Sequence, residues 1–150
     1  MIEKLEHTNP DIAELIYKVF QVSYAVEAKL LKAKDFPPLK RKVQDFISCK
    51  SDFYGLWKHQ ELVAVTEIKQ FDASVHIQSM VVVPEYFRQG IAQQLISYVF
   101  ENYKTEMFTV ETGVDNLPAI KLYQKYDFIL VKEWDTEFGI RKVRFEKNCH

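Results

Sequence analysis

From Pro10 to about Leu31 the apolar residues Ile12, Leu15, Ile16, Val19, Phe20, Val26 and Leu30 recur at helical spacing, and they predict a long amphipathic helix with acids in its first turn. The Pro37-Pro38 pair forbids its continuation, and a short second helix is expected from roughly Leu39 to Ser48. The period then changes to two. Phe53 to Trp57 and Leu62 to Ile68, joined by Lys58-His59-Gln60-Glu61, read as a hairpin. A third strand from about Val75 to Val83 ends in three valines, the pattern of a strand buried on both faces, and Pro84 terminates it. Ile91, Ala92, Leu95, Ile96, Val99, Phe100 and Tyr103 form a helical stripe, and Met107 to Gly113 is the next strand. Strand, helix and strand in this compass make a right-handed parallel crossover. A helix from about Pro118 to Tyr126 and strands at Phe128 to Trp134 and Ile140 to Glu146 complete a mixed α/β layer fold.

At 150 residues the chain has room for one domain, 1–150. Twenty basic against twenty-one acidic residues leave a formal charge of -1, so no whole-molecule field draws the protein to nucleic acid or to an anionic membrane. Cys49 and Cys149 do not make a disulfide framework or a metal-binding pair, and the acidic N-terminus lacks the apolar run of a signal peptide. The expectation is a cytoplasmic protein with reduced thiols, monomeric or homodimeric, with no metal and no membrane or nucleic-acid partner. Arg141, Lys142, Arg144 and Lys147 mark the last strand as a charge-protected edge or a pairing surface.

The four glycines stand at 55, 90, 113 and 139, and no nucleotide-binding glycine loop can be written from them. Pro84-Glu85-Tyr86-Phe87-Arg88-Gln89-Gly90-Ile91-Ala92-Gln93 instead joins a strand to an amphipathic helix. The unpaired N–H groups of Gly90 to Gln93 and the positive end of the helix dipole make an anion site, to which Arg88 adds a charge-assisted bond. Alone, the same residues also describe an ordinary turn with a solvated arginine. Farther on, Asp115-Asn116-Leu117-Pro118 enters a short helix on which Tyr123 lies seven residues, about two turns, beyond Asn116.

Together these two stretches resemble the GCN5-related N-acetyltransferase (GNAT) superfamily. Phe87-Arg88-Gln89-Gly90-Ile91-Ala92 matches the family's [Q/R]-x-x-G-x-[G/A] turn, and Asn116, Ala119, Tyr123, Lys125 and Phe128 match its later Asn-to-Phe stretch. Phe87 departs from the usual Gln or Arg, and Asp127 stands where the family has Gly, in a left-handed position that Asp tolerates better than most residues.

The resemblance implies a mostly antiparallel sheet of about six to seven strands with one parallel pair and about four flanking helices. It implies acetyl-CoA as co-substrate, its diphosphate cradled by Arg88, Gln89, Gly90, Ile91, Ala92 and Gln93. Its pantetheine would lie against Met80, Val81 and Val82, and near Asn116. Tyr123 would protonate the leaving sulfur. Glu111, five residues before Asn116, is the preferred base for a small-molecule or peptide amine, with His76 or a water chain as alternatives. Tyr24 and Tyr54 are candidate acceptor-cleft aromatics, with core packing the favoured alternative for each. The basic run Lys29 to Lys42 is either a solvated face or a border favouring an acidic acceptor. The other functional class on this scaffold is a non-catalytic coenzyme A binding or sensing module.

Overall fold

The computed structural model describes residues 1–149. Helix α1 (Pro10–Leu30) begins where Asn9 Oδ1 accepts from the N–H groups of Asp11 and Ile12, with Pro10 in its first turn. It buries Ala13, Ile16, Val19, Phe20 and Tyr24; of the expected stripe Ile12 and Leu15 are half-buried, and Val26 and Leu30 stay exposed because they face the cleft described below rather than the core. The single helix expected from Leu39 to Ser48 is instead two pieces, a 3₁₀ turn over Pro37–Lys40 and α2 over Val43–Ser48. Prolines set the tight turn, and Asp45 Oδ2 accepts from the Lys42 N–H (2.7 Å) to start the new helix.

Strand β1 (Ile2–Leu5) has no counterpart in the hydrophobic pattern, because only Leu5 of its four residues is buried and pairing with a neighbour makes it a strand. Strands β2 (Asp52–Lys58) and β3 (Glu61–Gln70) form the expected hairpin, with His59 and Gln60 both at positive φ in a two-residue turn. There follow β4 (Ser74–Val82), α3 (Ile91–Asn102), β5 (Met107–Gly113), α4 (Leu117–Lys125), β6 (Ile129–Asp135) and β7 (Arg141–Asn148). The seven strands make one sheet in the order β1-β2-β3-β4-β5-β7-β6, antiparallel throughout except for β4 and β5.

That parallel pair is short. It runs from Ser74 opposite Met107 to Ile77 opposite Val110, and beyond those residues the strands part. A bulge lies at the point of parting: Glu67 faces Ser79 and Ile68 faces Ile77, so Gln78 has no partner on β3. The extra residue bends and twists β4 away from its neighbour. Beyond the bulge the burial alternates, Val81 and Val83 inside and Met80 and Val82 half-exposed, which corrects the reading of a strand buried on both faces. The sequence pattern of three valines could not show that the far face borders a gap.

Arg41 departs from the solvated-face reading of the basic run. Its Nη1 donates to Glu67 Oε1 (2.6 Å), its Nη2 to Oε2 (3.2 Å), and its guanidinium lies 4.3 Å over the Phe46 ring. Tyr54 takes the core-packing alternative of its two readings. It is buried in the core between β2 and α3, its hydroxyl 2.8 Å from that of Tyr103.

Candidate active site

The parting of β4 and β5 opens a cleft of about 590 Å³, walled by α1, β4, the start of α3 and α4. The Val83 N–H donates to the Val63 carbonyl (2.9 Å). In the alternating antiparallel ladder Val81 therefore faces β3 with its backbone, while Met80 and Val82 turn theirs toward the gap. The Val82 carbonyl is taken by Ser23 Oγ on α1 (2.7 Å). Of the three residues expected to meet a pantetheine arm, two thus present backbone to the cleft, and Val81 contributes only to its lining.

At one end of this open edge stands the α3 N-terminus. Arg88 and Gly90 are both left-handed, at φ 63° and 74°, and this pair of reversals brings the chain from the Pro84–Tyr86 turn into the helix with its first N–H groups facing the cleft. Gln94 is the first residue to bond within the helix, to the Gly90 carbonyl (3.1 Å), so the preceding N–H groups are free for an anion. Phe87, Arg88, Gly90, Ile91, Ala92 and Gln93 line the cleft; Gln89 is exposed and outside it. Lys121 and Lys125 on α4 line the same opening as Arg88; Lys125 is one of the matched motif positions, and Lys121 is a cation the motifs did not single out. The Lys125 Nζ donates to Gln93 Oε1 (3.0 Å), tying α4 to α3.

Tyr123 reaches the cleft from α4 and is 6% exposed. Its hydroxyl is held protonated well above the usual tyrosine range, first by burial and then by the negative charge of Glu27. Asp127, at φ 67°, ends α4 as expected, and the Phe128 N–H returns to the Tyr123 carbonyl (3.1 Å), locking the turn that bears the tyrosine. Asn116 caps α4 through Oδ1, which accepts from the Ala119 N–H (3.3 Å). Its Nδ2 donates to Glu27 Oε1 (2.8 Å) and to Thr112 Oγ1 (3.2 Å).

Glu27 was absent from the sequence reading. It looked like any polar position on α1, and only the fold sets it against Asn116. Burial raises its carboxyl to about 7, against the opposing pull of Lys142 and the Asn116 hydrogen bond.

A second cavity of about 420 Å³ lies on the other side of this carboxylate, lined by Tyr24, Glu27, Phe36, Glu111, Phe138 and Lys142 among others. Tyr24 and Glu27 wall both spaces. Gly113 allows this arrangement, since a Cβ there would stand 2.6 Å from Leu31 of the chain leaving α1. Glu111 accepts from Arg144 Nη1 (3.0 Å) on the adjacent strand, at the wall of the second cavity and outside the first. His76 lines neither cavity; its Nδ1 is 2.7 Å from Thr109 Oγ1, and burial lowers its pKa. Among the described residues, no group of three or more His, Cys, Asp or Glu is gathered as a metal site.

Residues 13–128 match the Acetyltransferase (GNAT) family. The chain belongs to this family of acetyltransferase enzymes. It is 32% identical over 129 residues to the UPF0157 protein YqkA of Bacillus subtilis, a match covering 85% of this chain and 38% of that relative's length. The fold is that of the ribosomal-protein-S18-alanine N-acetyltransferase from Escherichia coli, with a TM-score of 0.76, 17% identity, and coverage of 99% of this chain and 92% of that one. A GNAT family acetyltransferase from Elizabethkingia anophelis with acetyl-CoA bound matches with a TM-score of 0.65 and 18% identity, over 80% and 88% of the two chains. The parted parallel strands and the open N-terminus of α3 in this GNAT chain are thus set in the family's fold.

Proposed function

We propose that residues 1–150 act as one N-acetyltransferase domain that moves the acetyl group of acetyl-CoA to a primary amine by direct attack. The observation that carries this reading is the continuity of the cleft: one space is lined by the start of α3, by Met80 and Val82, whose backbone turns to it with the Val82 carbonyl held by Ser23, and by Tyr123. The N–H groups that open α3, with Arg88, Lys121 and Lys125, hold the diphosphate. Met80 and Val82 receive the pantetheine arm as an added strand, and a backbone N–H of that edge polarises the thioester carbonyl. Asn116 orients the arm beside α4. Tyr123, kept protonated by its burial, gives its proton to the departing sulfur. Glu111, the base expected from the resemblance, lies outside the acetyl-CoA cleft in an ion pair with Arg144, and in this reading it is a carboxylate on the wall of the second cavity. The acceptor is a small-molecule or peptide amine.

No described helix is long and apolar enough to cross a membrane, and both cysteines are free. A cytoplasmic setting belongs to the same proposal.

Calorimetric titration of the purified chain with acetyl-CoA and with free coenzyme A tests it. Wild type binds both, Gly90→Glu abolishes binding by placing a carboxylate in the cradle, and Tyr123→Phe binds but releases thiol slowly when an amine is supplied. Failure of the folded wild type to bind either compound overturns the reading. Phe87, 44% exposed on the cleft wall where the family's motif has Gln or Arg, favours the non-catalytic alternative. That alternative requires binding without thiol release for any amine.

A further inference from the structure

Glu27 is the charged side chain that walls both cavities, and nothing in the sequence motifs assigns it a task. Its neighbours differ from those of the other acids nearby. Glu67 is closed off by Arg41, and Glu111 is taken by Arg144, but the Glu27 carboxylate is held by the neutral amide of Asn116. The titratable and charged groups facing it are Tyr24 on its own helix, Tyr123 from α4 and Lys142 from β7, with Glu111 on the wall of the second cavity. That cavity has a mixed lining: Phe20, Phe36, Pro37, Pro38 and Phe138 form an apolar wall, and Arg41, Gln78, Ser79, Thr112 and Thr136 bring charged and polar groups to it, with Arg41 engaged by Glu67.

We propose that Glu27, which walls both the acetyl-CoA cleft and the second cavity, is the base that takes the acceptor amine's proton at their junction. This rests on the acetyl-transfer reading above for its chemistry. The acceptor arrives as an ammonium and gives one proton to the Glu27 carboxylate. The neutral amine attacks the thioester carbon, a C–N bond forms, and the C–S bond breaks with its electron pair on sulfur. Tyr123 protonates that sulfur, the proton remaining on the new amide nitrogen restores Tyr123, and Glu27 returns its own proton to solvent through the second cavity. One ammonium and one thioester thus give one amide, one thiol and one proton. A carboxyl that titrates near neutrality suits this duty, since it is ionised when the amine arrives and releases the proton afterwards.

The test uses the full chain and two probes of similar size and opposite charge, 2-phenylethylamine and phenylacetate, titrated into wild type, Glu27→Gln and Glu111→Gln. A parallel titration follows the Glu27 side-chain carboxyl by ¹³C NMR. Wild type is expected to bind the amine at least about tenfold more tightly than the acid, one charge-assisted contact's worth. Glu27→Gln should remove that preference, with a larger loss than Glu111→Gln causes, and the Glu27 resonance should titrate near neutrality and move on adding the amine. The proposal is overturned by no amine binding to wild type, by preference for phenylacetate, by an unaffected Glu27→Gln, or by a larger loss in Glu111→Gln. Acetyl-CoA binding is measured separately on the same samples. If it fails while the amine preference holds, the transfer reading falls and the amine site stands.

Discussion

Two glutamates on the α1 side of the sheet show how differently one side chain behaves under different partners. Glu67 is 1% exposed, receives both arms of Arg41 and also accepts from Ser79 Oγ (3.3 Å). Glu27 lies at the mouth of the parted strands, and its hydrogen-bond partner is an amide. A guanidinium in fork geometry fixes a carboxylate as charged structure. A neutral amide positions a carboxylate without settling its charge, so burial decides, and the group titrates near neutrality. The first arrangement braces the α2 end of the core, and the second leaves a proton-active group between two cavities.

Breaking the closed pair should have the largest effect. Arg41→Met strands the Glu67 charge in the core and is expected to cost about 3–5 kcal/mol in urea denaturation, while Arg41→Met with Glu67→Met recovers most of it. Equal losses in single and double variants would mean that the ion pair is not what holds this region. At the cleft, Tyr123→Phe should lower the acetyl-transfer rate about 100-fold, near 2.7 kcal/mol of barrier, with acetyl-CoA affinity almost unchanged. A matching loss of affinity would make the tyrosine a binding group instead.

Glu27→Gln sharpens the contrast through pH. Because the folded carboxyl is raised from 4.5 to about 7, the folded state holds this proton more tightly than the unfolded chain does. That stabilisation is complete below about pH 4.5 and is lost as the pH rises through 7. Glu27→Gln should therefore equal wild type in stability at pH 4.5 and exceed it by about 2 kcal/mol at pH 8. A constant difference across that range would show that Glu27 titrates normally. The smallest effect is expected at Asp127, whose φ of 67° suits glycine. Asp127→Gly should gain about 0.5 kcal/mol by thermal melting and leave the Tyr123 turn in place.

Much of this was legible in the residues. The stripes of α1 and α3 and the turn at His59 and Gln60 are local patterns, carried by periodicity and turn chemistry within a few residues. The family resemblance rested on two stretches, Phe87 to Ala92 and Asn116 to Phe128, and each is one turn and the start of one helix. What escaped was nonlocal. Strand β1 is a strand because β2 offers it an edge. The hydroxyl partner of the core residue Tyr54 lies 49 positions away. The basic run gave no sign that Arg41 alone would turn inward to an acid 26 residues on.

The amino-acid sequence by itself determined the order of helices and strands after β1, the turn before α3, the loop residue Asn116 at the start of α4 and the helix that carries Tyr123, because each depends on backbone preferences and on groups within a turn or two. Only the tertiary structure decided where β4 and β5 part, which of Met80, Val81 and Val82 turn backbone to the gap, and which acid meets it. The bulge at Gln78 is defined by its partners on β3, and Asn116 finds Glu27 across 89 residues of chain. Burial and hydrogen-bond partners exist only once those distant segments are packed together, and they make one glutamate a brace and another a titrating group.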